Sequence, residues 1–455
     1  MISATQKLTA LVDASDRFDH SPRELRGTQL AAMNERLQER TGRIKLLAHR
    51  AREAGITELR DRSDVVPLLF PHSVYKSYPE SFLTEGRWDR LAAWLGTVSP
   101  YPITPVDPPH IDGIDTITGI DDWIEHLGSH GHHVSCSSGT TGKSAMLLAT
   151  DQDMDWSRKD TVGVFSWGSG VRPSRDRRMI GIAPTAAVPK NMVIAQAQEQ
   201  AFGDPDKPRF RLPLPPITVG SLTRTILLRR RIADGSARPE ELAEFERGSA
   251  RRQQALDQAM TTAAETLVEH RAEKLYISGM WNALYQAARL VRDMGYSAKD
   301  FHPDNCLYVG GGLKRAQLPD DYQEFVHETF GIPADRDFQN YSMQELNSGM
   351  PKCQKGDRYH VPPWVVPFVL DETGEDLLPH ESGEIEGRAA FFDLSLDGRW
   401  GGVITGDRIG LDLDPCACGA SGPSIRNDIV RYADLAGDDK IGCAGTVDAY
   451  VRGIS

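Results

Sequence analysis

The sequence predicts an α/β chain: mainly parallel sheets covered by helices, a β-rich lobe after them, and a helical extension at the N-terminus. Three observations carry this expectation. Leu30, Met33, Leu37 and Ile44 recur at spacings of three, four and seven, the period of a helix that faces a core. Between Lys274 and Phe330 strand-like and helix-like segments alternate, the order that produces a parallel sheet under helices. From His360 onward short β-type runs dominate.

Taken in order, residues 1–110 read as a helical region that closes in a proline-rich connector, Ser99–Pro109. Residues 111–350 form the α/β core. Within it, the stretch Pro205–Pro216 carries Pro208, Pro213, Pro215 and Pro216 and cannot be a regular helix, because proline lacks the amide donor. Leu256, Ala259, Ala263 and Leu267 mark an amphipathic helix between Arg251 and Leu267. Short buried strands are expected at Lys274–Ser278 and Cys306–Val309, and helices at Trp281–Arg292 and Asp320–Phe330. Residues 351–435 form the β-rich lobe, with strands at Trp364–Leu370, Gly383–Phe392 and Gly402–Gly406. Residues 436–455 are a short remainder.

A length of 455 residues is about three times the ~150 of a single domain, so two or three compact units are expected. Hydrophobic residues at 40% and charged residues at 25% exclude a disordered tail, a collagen and a coiled coil. The net charge is −12, which argues against nucleic acid as a partner, since phosphate binding needs clustered Lys and Arg. Arg229-Arg230-Arg231 reads as a solvated turn. No run approaches the ~20 apolar residues of a membrane span, and Met1–His20 has neither the basic start nor the apolar stretch of a signal peptide. A soluble, cytoplasmic protein is expected, and its six cysteines read as thiols or metal ligands rather than disulfides.

The sharpest local feature is Ser137-Ser138-Gly139-Thr140-Thr141-Gly142-Lys143-Ser144. Small residues let a backbone approach phosphate closely, and hydroxyls and amides then donate to its oxygens. A Walker P-loop would need a helix straight after the lysine. Met146–Thr150 is instead a short apolar run with the look of a strand, followed by an Asp-rich, turn-like stretch, Asp151–Trp156. A flexible surface loop is the remaining structural reading.

The same segment resembles the phosphate loop of the adenylate-forming superfamily (acyl-CoA synthetases, adenylation domains and luciferases). Within it, the likeness is to phenylacetate-CoA ligases and to bacterial acyl-protein synthetases. Further segments follow in the family's order. Gly310-Gly311-Gly312-Leu313, by itself a strand-to-helix turn, resembles the glycine segment that lines the adenine pocket. Asn340-Tyr341-Ser342-Met343-Gln344-Glu345 is similar to the family's Tyr-Gly-Met-Thr-Glu. The resemblance gives Tyr341 to the adenine face, Gln344 to the α-phosphate and Glu345 to Mg²⁺, a hard cation that suits a carboxylate oxygen. Gln344 stands where the family has threonine, and Ser342 where it has glycine. Thr405-Gly406-Asp407, placed at a strand end, matches the Thr-Gly-Asp whose carboxylate accepts both ribose hydroxyls.

The resemblance implies an adenylate-forming N-domain fold, with residues 111–350 as the nucleotide- and acyl-binding core. It also implies ATP-dependent activation of a carboxylic acid, with donors from Ser138, Thr140 and Thr141. The acyl pocket is expected near Gly279, Met280, Trp281 and Pro184, where an aromatic and a methionine suit an apolar acid. Plain core packing explains the same residues.

Cys353, His360, Cys416 and Cys418 make the pattern C-x6-H and C-x-C-G. Cysteine and neutral histidine are the ligands of a structural zinc; unpaired thiols or a redox pair are the other readings. Gly437-Asp438-Asp439-Lys440-Ile441 resembles the family's hinge, and only fourteen residues follow it. The expectation is therefore a truncated second domain, without its lysine, and Arg426 or Arg431 as candidates to serve the ribose. Cys443 is a candidate acyl acceptor, or else a small buried residue of a strand. Coenzyme A, an amine, a carrier protein or a reductase remain open as acceptors. From another class, a non-catalytic nucleotide-binding partner of such a complex also fits, and a P-loop kinase is more remote.

Overall fold

A computed structural model describes residues 2–103, 117–136, 143–311 and 317–436. The described residues divide into two compact units, 158–342 in one and the others in the second.

The first unit joins the N-terminal helices to the β-rich lobe. Helices Ala4–Thr9 and Pro22–Thr41 each start on a serine capping box, at Ser3 and Ser21. A third, Lys45–Glu53, follows. The sheet has the order Val365–Leu370, Glu384–Asp393, Gly402–Asp412, Ser424–Arg426, Arg358–His360 and Met350–Cys353, with antiparallel neighbours. Phe70–Pro71 joins it in parallel beside Val403 and Ile404. Every residue of Val365–Leu370 is buried, so this strand is covered on both faces. The N-terminal helices reach that region: Gln29 Nε2 donates to the carbonyl of Pro363, and Arg36 to that of Leu394, both at 2.9 Å.

A second antiparallel pair, His132–Cys136 with Met146–Thr150, flanks the serine- and threonine-rich segment. Met146–Thr150 is a strand as its apolar run predicts, and no helix follows Lys143 directly. The Asp-rich stretch after it is not a turn. It opens a 19-residue helix, Asp151–Ser169, because Asp151 and Asp153 fall in the first turn, where a carboxylate meets the positive end of the helix dipole.

The second unit is a parallel sheet in the order Asp337–Tyr341, Cys306–Val309, Leu275–Gly279, Arg178–Gly181 and Phe210–Arg211. Helices Trp281–Asp293, Tyr322–Phe330 and the end of Pro239–Glu269 cover it through Leu284, Ala288, Val326, Phe330, Ala263 and Leu267, all fully buried. Phe165 fills the other core cluster, with ring centroids of Phe202, Tyr276 and Phe338 4.8–5.1 Å away. The proline-rich stretch holds only the two-residue strand Phe210–Arg211 and no helix.

Two expectations change here. The helix expected from Arg251 begins at Pro239, with proline at its first position and Glu240 and Glu241 in its first turn, a start that helical spacing alone does not reveal. Arg229–Arg231 is not a turn but lies near the C-terminus of the helix Val219–Ala233, where cations complement the dipole. From Arg224 to Gln258 no residue is buried. No helix among the described residues is long and apolar enough to cross a membrane.

Candidate functional site

In the second unit the sequence-selected residues gather at one edge. The parallel strands end in register, Gly181 beside Ser278, Gly279 beside Val309, and Val309 beside Gln339. Pro184, Met280, Gly310, Gly311 and Tyr341 therefore all lie at or just past the carboxyl ends of these strands, the edge at which open α/β sheets bind ligands. The amide of Gly310 donates to the carbonyl of Gly279 at 2.9 Å. Gly311 has φ +77°, a left-handed value that favours glycine. A Cβ at Gly279 would lie 3.2 Å from Leu284, a tight contact.

Trp281 is 4% exposed and sits in the apolar core, its ring 5.2 Å from that of Tyr322. Pro184, Met280 and Tyr341 are half-buried.

In the first unit Glu345 is half-buried, and its carboxylate has no hydrogen-bond or ion-pair partner among the described residues. Beside it, the Gln344 carbonyl accepts from Arg399 at 3.3 Å. Burial pushes the Tyr75 phenol up to about 12, with the Glu345 charge adding to the effect. Asp407 does not end its strand. The ladder runs on to Asp412, because Ile409 and Leu411 point into the core. The Asp407 side chain is 18% exposed, with Arg431 across the ladder at 3.9 Å. Arg426 is bound instead to Glu384, Glu386 and Asp428.

The Lys143 amine donates to the carbonyl of Tyr78. Ser137, Ser138, Gly139, Thr140, Thr141, Gly142, Gly312, the hinge-like segment and Cys443 lie outside the described residues.

Cys353, His360, Cys416 and Cys418 do converge. One ligand atom from each falls within 4.8 Å of the others, and Cys418 Sγ is 3.5 Å from His360 Nε2. Tetrahedral zinc, with bonds of ~2.3 Å to sulfur and ~2.0 Å to nitrogen, places its ligand atoms roughly 3.5–3.8 Å apart. Two turns build the cluster. The strand pair Met350–Cys353 and Arg358–His360 carries the first two ligands, and the amide of Gly356 donates to Cys353 Sγ at 3.4 Å. Gly419, at φ +99°, donates its amide to the Cys416 carbonyl. Any Cβ at Gly356 would lie 2.2 Å from Cys416 Sγ, so only glycine fits.

Burial lowers His360 to about 4, which keeps its imidazole neutral. Burial and the neighbouring thiols push Cys418 up to about 12; a bound cation reverses that, because a coordinating thiol is deprotonated outright. The other described cysteines, Cys136 and Cys306, are buried free thiols.

No family model matches the chain, and no curated protein matches it. Among solved structures it is similar to 2-hydroxyisobutyryl-CoA ligase in an open conformation in complex with 2-HIB-AMP and CoA. The TM-score is 0.56 at 13% identity, over 92% of this chain and 77% of that one. The same ligase in the postadenylation state in complex with 2-HIB-AMP gives 0.54 at 14%, over 92% and 70%. The likeness is one of fold: a mixed α/β architecture with a predominantly parallel sheet and helical cover, consistent with the N-domain of an adenylate-forming ligase.

Proposed function

We propose that this protein activates a carboxylic acid with ATP, forming an acyl-adenylate and releasing pyrophosphate, and that the acyl group passes to a thiol, an amine or a reductase partner. The observation that carries the reading is the ordered set of nucleotide-type segments, Ser137–Lys143, Gly310–Gly312, Tyr341–Glu345 and Thr405–Asp407, on a fold shared with a CoA ligase. In this reading Tyr341 offers an aromatic face to adenine and Asp407 accepts the ribose hydroxyls. Gln344 and Thr140 donate to phosphate oxygens, and Ser137, Ser138, Gly139, Thr141 and Gly142 supply the rest of the phosphate loop.

Glu345 would hold Mg²⁺, which, when bound, neutralises charge on the phosphates as pyrophosphate departs. The protein's own work is alignment of the acid against the α-phosphate and pre-organised donors around it. The acid is apolar or aromatic, and the strand-end residues Gly279, Met280 and Pro184 border it. Cys353, His360, Cys416 and Cys418 would hold a structural zinc, since four protein ligands leave no open position for catalysis. Cys443 is a candidate acceptor of the acyl group, as coenzyme A is.

The test is acid-dependent exchange of labelled pyrophosphate into ATP, across a panel of aromatic and aliphatic acids. Exchange with one member supports the reading. ATP binding without exchange across the panel leaves a nucleotide-binding partner instead.

A further inference from the structure

The first unit buries a group of charges that no apolar core requires. Asp153 is fully buried, and its carboxylate accepts the amides of Asp397 and Gly398 at 2.8 Å and of Thr150 at 2.9 Å. Asp393, 1% exposed, accepts the amide of Asn347 at 2.8 Å and the amide and hydroxyl of Ser395 at 3.0 and 2.6 Å. Arg399 is 3% exposed and donates to the Gln344 carbonyl, with its guanidinium 5.8 Å from the centre of the Tyr75 ring. No ion pair among the described residues includes Arg399. Its charge acts instead on the buried Asp153 carboxylate, and a buried cation held without a direct ion pair calls for an explanation.

These groups converge on five consecutive residues. Gln344 is held at its carbonyl by Arg399. Asn347 is held at its amide by Asp393, and at its side chain by the Asp153 carbonyl (3.0 Å) and the Ser157 hydroxyl (2.6 Å). The Ser348 hydroxyl bonds Asp393 and receives Trp364 Nε1 at 2.8 Å. Between the anchors stands Glu345, whose carboxylate has no hydrogen-bond or ion-pair partner among the described residues.

We propose that Asp153, Asp393 and Arg399 are positioning residues. They fix the main chain of Gln344–Ser348 so that the Glu345 carboxylate is held available to a divalent cation instead of collapsing onto the buried guanidinium. The inference rests on the reading of Glu345 as the Mg²⁺ ligand. Groups that orient a metal ligand from behind typically change metal affinity by about 10–100-fold when removed.

The test is thermodynamic and needs no acid. The affinity of the full chain for ATP is measured with and without Mn²⁺ as the probe, and the ratio reports the cation's contribution. Glu345→Gln should abolish the Mn²⁺-dependent tightening. Arg399→Met and Asp393→Asn should each reduce it by about tenfold, and Arg399→Lys should restore part of it. Arg40→Met serves as the control. It removes another buried arginine of the same unit, paired with Asp397 at 3.0 Å, and should lower the melting temperature without moving the ratio. Where Asp393→Asn fails to fold, the Arg399→Met and Arg399→Lys pair decides. Full tightening in folded Arg399→Met, with none in Glu345→Gln, overturns the proposal. Full tightening in Glu345→Gln, or none in the wild type, removes the magnesium reading beneath it.

Discussion

The two units hold their chemistry-bearing residues in opposite ways. In the parallel-sheet unit Pro184, Met280, Gly310, Gly311 and Tyr341 lie on loops or strand ends above a core of Leu, Ile, Ala and Phe side chains. The loops borrow their placement from strand register. In the other unit Glu345 lies on a segment fastened by carboxylates and a guanidinium from distant parts of the chain, and the Cys/His cluster is knotted from two turns. An apolar core positions by packing and tolerates repacking. A buried polar network positions by satisfied bonds, and loss of one partner strands another. Function in the first arrangement should therefore separate from stability, and in the second the two should be entangled.

The largest expected effect tests the nucleotide reading in the polar unit. Asp407→Ala and Glu345→Ala should each lower pyrophosphate exchange by at least about 10²-fold, with far-UV circular dichroism unchanged. Wild-type exchange in both variants breaks the assignment.

Next comes the parallel-sheet unit. Trp281→Ala should cost about 3–5 kcal/mol in urea unfolding, the range for a buried aromatic. Tyr341→Ala should instead weaken ATP binding by about tenfold, the loss of one stacked ring. A Trp281→Ala protein of normal stability and altered acid preference would instead place that residue at the acyl pocket.

Elemental analysis should find about one zinc per chain, and chelation should lower the melting temperature, because metal affinity is folding energy here. Gly356→Ala should do the same, as its methyl would strike Cys416 Sγ. Acid should mimic chelation in part. The His360 pKa is lowered in the folded state, so its contribution is full above the unfolded value of 6.5 and is lost as pH falls from there toward about 4. A melting temperature that is flat across that window argues against a buried neutral His360. The smallest effect belongs to Leu242→Ala, on the exposed part of the long helix. Its unfolding free energy should change by no more than about 0.5 kcal/mol.

Local pattern made much of this readable. Met146–Thr150 and Cys306–Val309 are strands with the expected ends, since short apolar runs have one comfortable fate between turns. The Cys/His cluster was legible because few other roles gather thiols and an imidazole at those spacings. What local pattern hid is equally specific. Asp151–Trp156 looked like a turn because acidic residues favour both turns and helix starts. The Asp407 strand was cut short at its glycine, although the following Ile409 and Leu411 alternate inward. Asp393 and Arg399 were not singled out, because each is bonded to a partner far away in sequence, such as Asn347 for Asp393. A hint was available in hindsight: Asp393, Asp397 and Arg399 crowd a stretch flanked by Phe391, Phe392 and Trp400, and charges inside an apolar run must find partners.

The N-terminal helices end up bonded to very late parts of the chain. The carbonyl of Phe18 accepts from Gly422, Gln29 reaches Pro363, and Phe18 edges against the His360 ring. On the ribosome, where synthesis runs at roughly 5–20 residues per second, Phe18 would wait about 20–80 seconds for its partner at 422 to be made. The continuous stretch 158–342 has no such delay. The contacts within 158–342 can therefore all form before residues 358–426 are available to the helices Ala4–Thr9 and Pro22–Thr41.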